Sequence, residues 1–91
     1  MIGAILEPEQ RTESDMDVTI ALKLATWDNL TERGVLSERT SERLAALRAG
    51  KSLTDDIVVP MRLGAAYTLI SRLERTGLQK TARLIDEQVS R

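Results

Sequence analysis

The fold class of this chain depends on one segment, Val18-Thr19-Ile20-Ala21-Leu22-Lys23-Leu24, whose apolar residues recur with period two. That alternation is typical of a half-buried strand. An apolar stripe with helical spacing nevertheless continues through Leu24, Trp27 and Leu30 or Thr31. Because the chain offers no obvious partner strand, we predict one helix here, from an N-cap at Ser14 or Asp15 to Arg33. A strand over residues 18–24 is the alternative.

Glycine and proline residues divide the rest of the chain into shorter predicted helices. Helices are predicted to end at Gly34, Gly50 and Gly77, with the glycine in the left-handed backbone conformation. The predicted helices run from a cap at Ser37 or Thr40 through Ala49, from Asp55 to about Val59 before Pro60, from Arg62 to Thr76, and from Gln79 to about Ser90. No internal repeat is evident. The predicted fold is all-α: a single compact domain of four to five helices over residues 15–91, preceded by a flexible acidic tail over residues 1–14.

The composition argues against catalysis. The chain has 91 residues, enough for one small domain, and it contains neither Cys nor His,. It therefore lacks a thiolate nucleophile, the usual zinc ligands and the histidine of a catalytic triad. Asp55 and Asp56 are interpreted as charges that stabilise the first turn of a helix. We predict that the protein is not an enzyme and has no catalytic residue, no metal site and no cofactor.

The hydropathy pattern shows no membrane segment. No apolar run approaches the roughly 18 residues of a membrane span. The start of the chain, Met1-Ile2-Gly3-Ala4-Ile5-Leu6, lacks the basic residues and the apolar length of a secretory signal,. We expect a cytoplasmic protein with no membrane partner.

Charge is unevenly distributed along the chain. Residues 1–42 carry nine acids and four bases, whereas residues 43–83 carry eight bases and three acids. A basic face on the second half would suit an anionic partner such as nucleic acid. The alternative is that the two signs pair with each other on solvated helix surfaces.

The predicted helix over residues 62–76 has two distinct sides. Its apolar side carries Leu63, Ala66, Leu69, Ile70 and Leu73. Its polar side carries Tyr67, Thr68, Ser71, Arg72 and Arg75. A phenol, two hydroxyls and two guanidiniums are hydrogen-bonding groups suited to phosphates and base edges. This helix is the first candidate for a binding surface.

The stretch Leu53-Thr54-Asp55-Asp56-Ile57, followed by residues 64–78, resembles bacterial helix-turn-helix and winged-helix transcriptional regulators. The shared features are a short capped helix, a connection through Pro60 and Met61, and an amphipathic helix that ends in Leu73-Glu74-Arg75 and Gly77-Leu78. The connection is longer and more apolar than is usual in these regulators. No wing follows, because residues 81–89 have helical spacing.

This resemblance implies a helix-turn-helix-like segment over residues 54–77 that binds DNA. It places Tyr67, Thr68, Ser71 and Arg72 toward the major groove, with Arg62, Arg75 and Lys80 nearer the phosphates. The implied function is that of a small regulatory protein of bacterial or phage type, acting as a homodimer.

A protein partner is the alternative to DNA. An adaptor, an anti-activator or an antitoxin-like module would present a helical face to a regulatory protein. The sequence pI of about 5.4, the acidic first half and the apolar pair Val58-Val59 near Met61, which is expected to be exposed, favour this alternative. Trp27 is expected in the core, with a dimer interface and a ligand platform as other possibilities.

Overall fold

The computed structural model describes residues 16–90 and contains two strands and four helices. The elements are, in order, β1 (Asp17–Lys23), α1 (Leu24–Glu32), α2 (Glu38–Leu47), β2 (Asp56–Arg62), α3 (Leu63–Arg75) and α4 (Gln79–Val89). The strands pair antiparallel as a two-stranded ribbon. The prediction of an all-α fold is therefore wrong, and the fold is mixed. The predicted tail over residues 1–14 and the predicted cap at Ser14 or Asp15 lie outside the described residues.

Residues 17–23 form a strand, as the alternative for residues 18–24 predicted. Ile20 and Leu22 are buried, whereas Thr19 and Ala21, which alternate with them, are exposed. The helical stripe begins only at Leu24, where α1 starts. The helix prediction failed because the partner strand lies far along the chain, at residues 56–62.

The segment predicted as a short third helix is β2. Its buried residues are Ile57, Val59 and Met61, which again recur with period two. The helix-turn-helix-like pair over residues 54–77 is therefore not part of this fold. Pro60, interpreted as a helix stop, lies within β2 opposite Thr19. A two-stranded ribbon has only edge strands, and a proline is tolerated where its missing N–H would point away from the neighbour.

The remaining helix predictions are confirmed. The Ser37 hydroxyl accepts a bond from Thr40 N over 3.3 Å and caps α2. Gly34 and Gly77 adopt φ of 70° and 82° just beyond α1 and α3. In both places the following N–H turns back onto the helix: Val35 N donates to Leu30 O over 3.3 Å, and Leu78 N donates to Leu73 O over 2.8 Å. These bonds satisfy carbonyls that a helix end would otherwise leave open.

The chain repeats one strand–helix–helix unit. β1, α1 and α2 form the first half, and β2, α3 and α4 form the second, displaced by the 39 residues that separate Asp17 from Asp56. The expectation of no internal repeat is wrong. The sequence does not reveal the repeat because few residues are identical between the halves, among them Asp17 and Asp56, Leu24 and Leu63, and Leu30 and Leu69.

The strand register has the same twofold relation. Ile20 lies opposite Val59, its own equivalent in the second half, and Asp17 opposite Arg62 corresponds to Asp56 opposite Lys23. A local twofold axis thus passes between Ile20 and Val59. The halves are also interlocked, because α2 packs against β2 and α4 packs against β1.

The core lies between the ribbon and the helices. Trp27 is 0% exposed, and its indole Nε1 donates to the carbonyl of Ile57, in the other half, over 2.9 Å. This confirms the core position predicted for Trp27. The equivalent residue of the second half, Ala66, is also fully buried. One large and one small side chain therefore fill the two equivalent positions.

Candidate functional site

The helices pack against one face of the ribbon, and the opposite face is exposed. We call this exposed surface the outer face. It is formed by Asp17, Thr19, Ala21 and Lys23 of β1 and by Asp56, Val58, Pro60 and Arg62 of β2, all of them exposed. The alternate residues of both strands point into the core, where Ile20, Leu22, Ile57, Val59 and Met61 are buried. The outer face forms because successive residues of each strand point to opposite faces, and only one of these faces is covered by the helices.

Each end of the outer face carries one acid and one base. Lys23 Nζ lies 3.3 Å from Asp56 Oδ1, and Asp17 lies opposite Arg62 at the other end. The Lys23 and Asp56 side chains are 60% and 66% exposed. An ion pair this exposed contributes at most about 1 kcal/mol and exchanges readily with another anion.

The centre of the outer face is small and uncharged. Thr19 lies opposite Pro60, and Ala21 lies opposite Val58. Val58 is 50% exposed. The centre therefore offers one hydroxyl and several apolar groups, with no long side chain to keep a partner at a distance.

The outer edges of the ribbon are covered by the second helix of the opposite half. Gln88 of α4 donates from Nε2 to Ala21 O over 2.9 Å and accepts from Ala21 N over 2.7 Å. Arg43 of α2 donates from Nη1 to Pro60 O over 2.7 Å. Ala21 and Pro60 are equivalent under the twofold relation. These contacts occupy backbone groups of Ala21 and Pro60 that an added strand would need,.

The polar side of α3, predicted as the binding surface, is only partly free to contact a partner. Tyr67 is 53% exposed, and Ser71 and Arg75 line a shallow hollow with Glu74. The Thr68 hydroxyl donates to Gly64 O within the helix over 3.0 Å. Arg72 is partly buried and donates to Val35 O over 3.3 Å.

Two predicted site residues are outside α3 itself. Arg62 is the last residue of β2 and belongs to the outer face, and Lys80 lies exposed on α4. The predicted set missed Thr19, Ala21, Lys23, Val58 and Pro60. Period-two alternation over residues 18–24 was the available signal for the first three.

Asp55 closes the turn before β2 and does not stabilise a helix, which corrects its predicted role. Its Oδ2 accepts from Ser52 N over 2.9 Å, and this bond holds the pKa of the carboxyl below its ordinary value. Nearby Lys51 and Lys23 act in the same direction. Within residues 16–90, no group of three or more acidic, His or Cys side chains could hold a metal ion.

A cavity of about 220 Å³ lies between the start of α2 and α3. It is lined by Val35, Leu36, Ser37, Thr40, Met61, Ala65, Thr68, Leu69 and Arg72. Across the part of the chain that the structure describes, no helix is both long and apolar enough to span a bilayer. Comparison with protein-family models, curated proteins and solved structures finds no match. Function is therefore inferred from the geometry of the chain itself.

Proposed function

We propose that this protein binds double-stranded DNA with the outer face of its ribbon in the major groove. The observation that carries the proposal is an exposed antiparallel ribbon with its helices on the opposite face. The major groove of B-DNA accommodates a two-stranded ribbon, and one class of DNA-binding proteins inserts strands in this way. The proposal moves the DNA-contacting surface from α3, where the sequence placed it, to the strands.

The dimensions of the ribbon support this docking. Seven residues per strand extend roughly 24 Å at about 3.4 Å per residue, and the two strands are about 5 Å apart,. The major groove is about 12 Å wide. Short side chains at the centre of the outer face allow the backbone to approach the base edges closely.

The side chains of the outer face supply suitable contacts. The Thr19 hydroxyl can donate to or accept from a base edge, and the Ala21 and Val58 side chains suit thymine methyl groups. Lys23 at one end and Arg62 at the other are positioned toward the flanking backbones. Phosphates would compete with Asp56 for Lys23, whose ion pair is exposed,.

The twofold relation of the ribbon also supports DNA. A duplex has local twofold axes in the plane of its base pairs, and DNA-binding dimers align their own axis with one of them. Here a single chain supplies both halves of such an arrangement, with its axis between Ile20 and Val59.

A pair of charge-matched variants tests the docking surface. Thr19→Glu adds one negative charge at the centre of the outer face, and Ser71→Glu adds one on the exposed side of α3. Both positions are exposed, so both variants should fold. We expect T19E to weaken retention of a pool of mixed genomic duplexes by at least about tenfold, because a carboxylate would meet base edges and phosphates. S71E should stay within about twofold of the wild type.

Titration with salt completes the experiment. Wild-type retention should fall steeply as salt increases, as expected where cations replace counterions on phosphates. Loss of binding in S71E together with full binding in T19E would assign DNA to α3. Absence of salt-sensitive retention of any duplex by the wild-type chain would refute DNA binding. Trp27 emission and circular dichroism verify that both variants are folded.

A protein partner is the second candidate for the same surface. The acids and bases at the ends of the outer face balance, and Val58 at its centre is half exposed. A neutral face with an apolar centre suits the core and rim of a protein interface. This candidate predicts that Val58→Asp abolishes capture of one defined protein while no duplex is retained.

A further inference from the structure

We propose that the DNA site of this protein is not palindromic: its two half-sites differ, because the two halves of the ribbon present different side chains. This inference rests on the proposed function. On one side of the local axis, Ala21 and Val58 would contact the DNA half-site nearer Lys23. On the other side, Thr19 and Pro60 would contact the half-site nearer Arg62.

The backbone is symmetric where the side chains are not. Val58 is the equivalent of Thr19, and Pro60 is the equivalent of Ala21. The ends match more closely, since each carries one aspartate and one basic residue. The centre of the outer face therefore carries the difference between the half-sites.

The chemistry of each half indicates what it prefers. Ala21 and Val58 present only methyl groups, which favour thymine methyls in the first half-site. Thr19 adds a hydroxyl in the second, and a hydroxyl can bond to a base edge that Val58 cannot. A buried base-edge group left unbonded is unfavourable, so the two halves should reject different bases.

Covalent connection makes such a ribbon possible. A homodimer must place identical residues at both equivalent positions and therefore favours a palindrome. In this chain β1 pairs with β2, and the two strands have different sequences. A ribbon formed within a single chain of this protein therefore always presents different side chains to the two half-sites.

Selection of duplexes from a random pool tests the inference. The wild-type chain should enrich a site with two different halves. It should bind that site at least about fivefold more tightly than a palindrome made by repeating either half. The double variant Val58→Thr, Pro60→Ala places Thr and Ala at equivalent positions in both strands. It should enrich a palindrome.

The outcomes separate this inference from the proposed function. A wild-type preference for a palindrome overturns the inference but leaves DNA binding by the outer face standing. An unchanged site for the V58T/P60A variant also overturns the inference. Failure to retain any duplex overturns both, and retention without enrichment of any sequence overturns the inference alone. Both substitutions lie at exposed positions, and Trp27 emission verifies that the double variant is folded.

Discussion

Trp27 shows how one residue connects the two halves. Its indole N–H donates across to Ile57 O, and the ring is fully buried. Trp27→Phe removes this bond and leaves unfilled volume beside it, so we expect the free energy of unfolding to fall by about 1–3 kcal/mol. Denaturant unfolding followed by circular dichroism measures the loss. Tyr67→Phe removes a polar group from an exposed aromatic ring and should change the same quantity by less than about 0.5 kcal/mol,.

Asp55 makes part of the stability dependent on pH. Its carboxylate accepts from Ser52 N, which lowers its pKa in the folded state. The contribution is therefore present above the unfolded pKa of about 3.9 and is lost as the pH falls through the lower folded value. Asp55→Asn should be less stable than the wild type at pH 7, with a difference that shrinks below about pH 4. Thermal unfolding of both proteins from pH 7 to pH 2 measures it, and a constant difference would contradict the assignment.

At the scale of elements, a glycine ends α3. Gly77 has φ of 82°, a conformation that a β-carbon disfavours,. No heavy atom outside its neighbours lies within 4 Å of an added β-carbon, so the cost of Gly77→Ala comes from the backbone alone. We expect a loss of about 1 kcal/mol in the free energy of unfolding.

A second glycine variant provides the contrast. Gly64 lies inside α3, and its equivalent in α1 is Ala25. Gly64→Ala should leave stability unchanged or raise it by up to about 1 kcal/mol, because alanine favours the helix. The two variants should therefore shift the midpoint of denaturant unfolding differently. Equal losses in both would contradict the assignment of the Gly77 effect to its left-handed backbone conformation.

The elements that the sequence predicted correctly are those with local signals. α2 has its cap at Ser37, and α3 ends at Gly77 with Leu78 turned back onto it. The strands were missed because each is stabilised by a partner distant in sequence. Neither Val18–Leu24 nor the segment around Pro60 shows that pairing by itself. The candidate site shows the same difference between local and distant signals. Arg62 was predicted, but Thr19 and Val58 come to lie on one face only when the strands pair.

The whole molecule behaves as two interlocked units in one chain. Each strand finds its hydrogen-bonding partner in the other half, and α2 and α4 pack against the opposite strand. DNA binding in the proposed mode needs one chain only, and assembly of two chains into a homodimer stays a prediction. The interlocking predicts that neither half retains its fold as a monomer.

Division of the chain between Gly50 and Lys51, both exposed, tests this interlocking. Separate fragments 1–50 and 51–91 should each be largely unfolded as monomers, since each would leave one unpaired strand and an uncovered apolar face. Mixed, they should form a one-to-one complex. Trp27 lies in the first fragment and its acceptor Ile57 O in the second, so the tryptophan emission should shift to shorter wavelength on mixing. Sedimentation gives the stoichiometry. A first fragment that buries Trp27 as a monomer would show that the halves fold independently, because the indole would then be covered without the strand that the structure places against it.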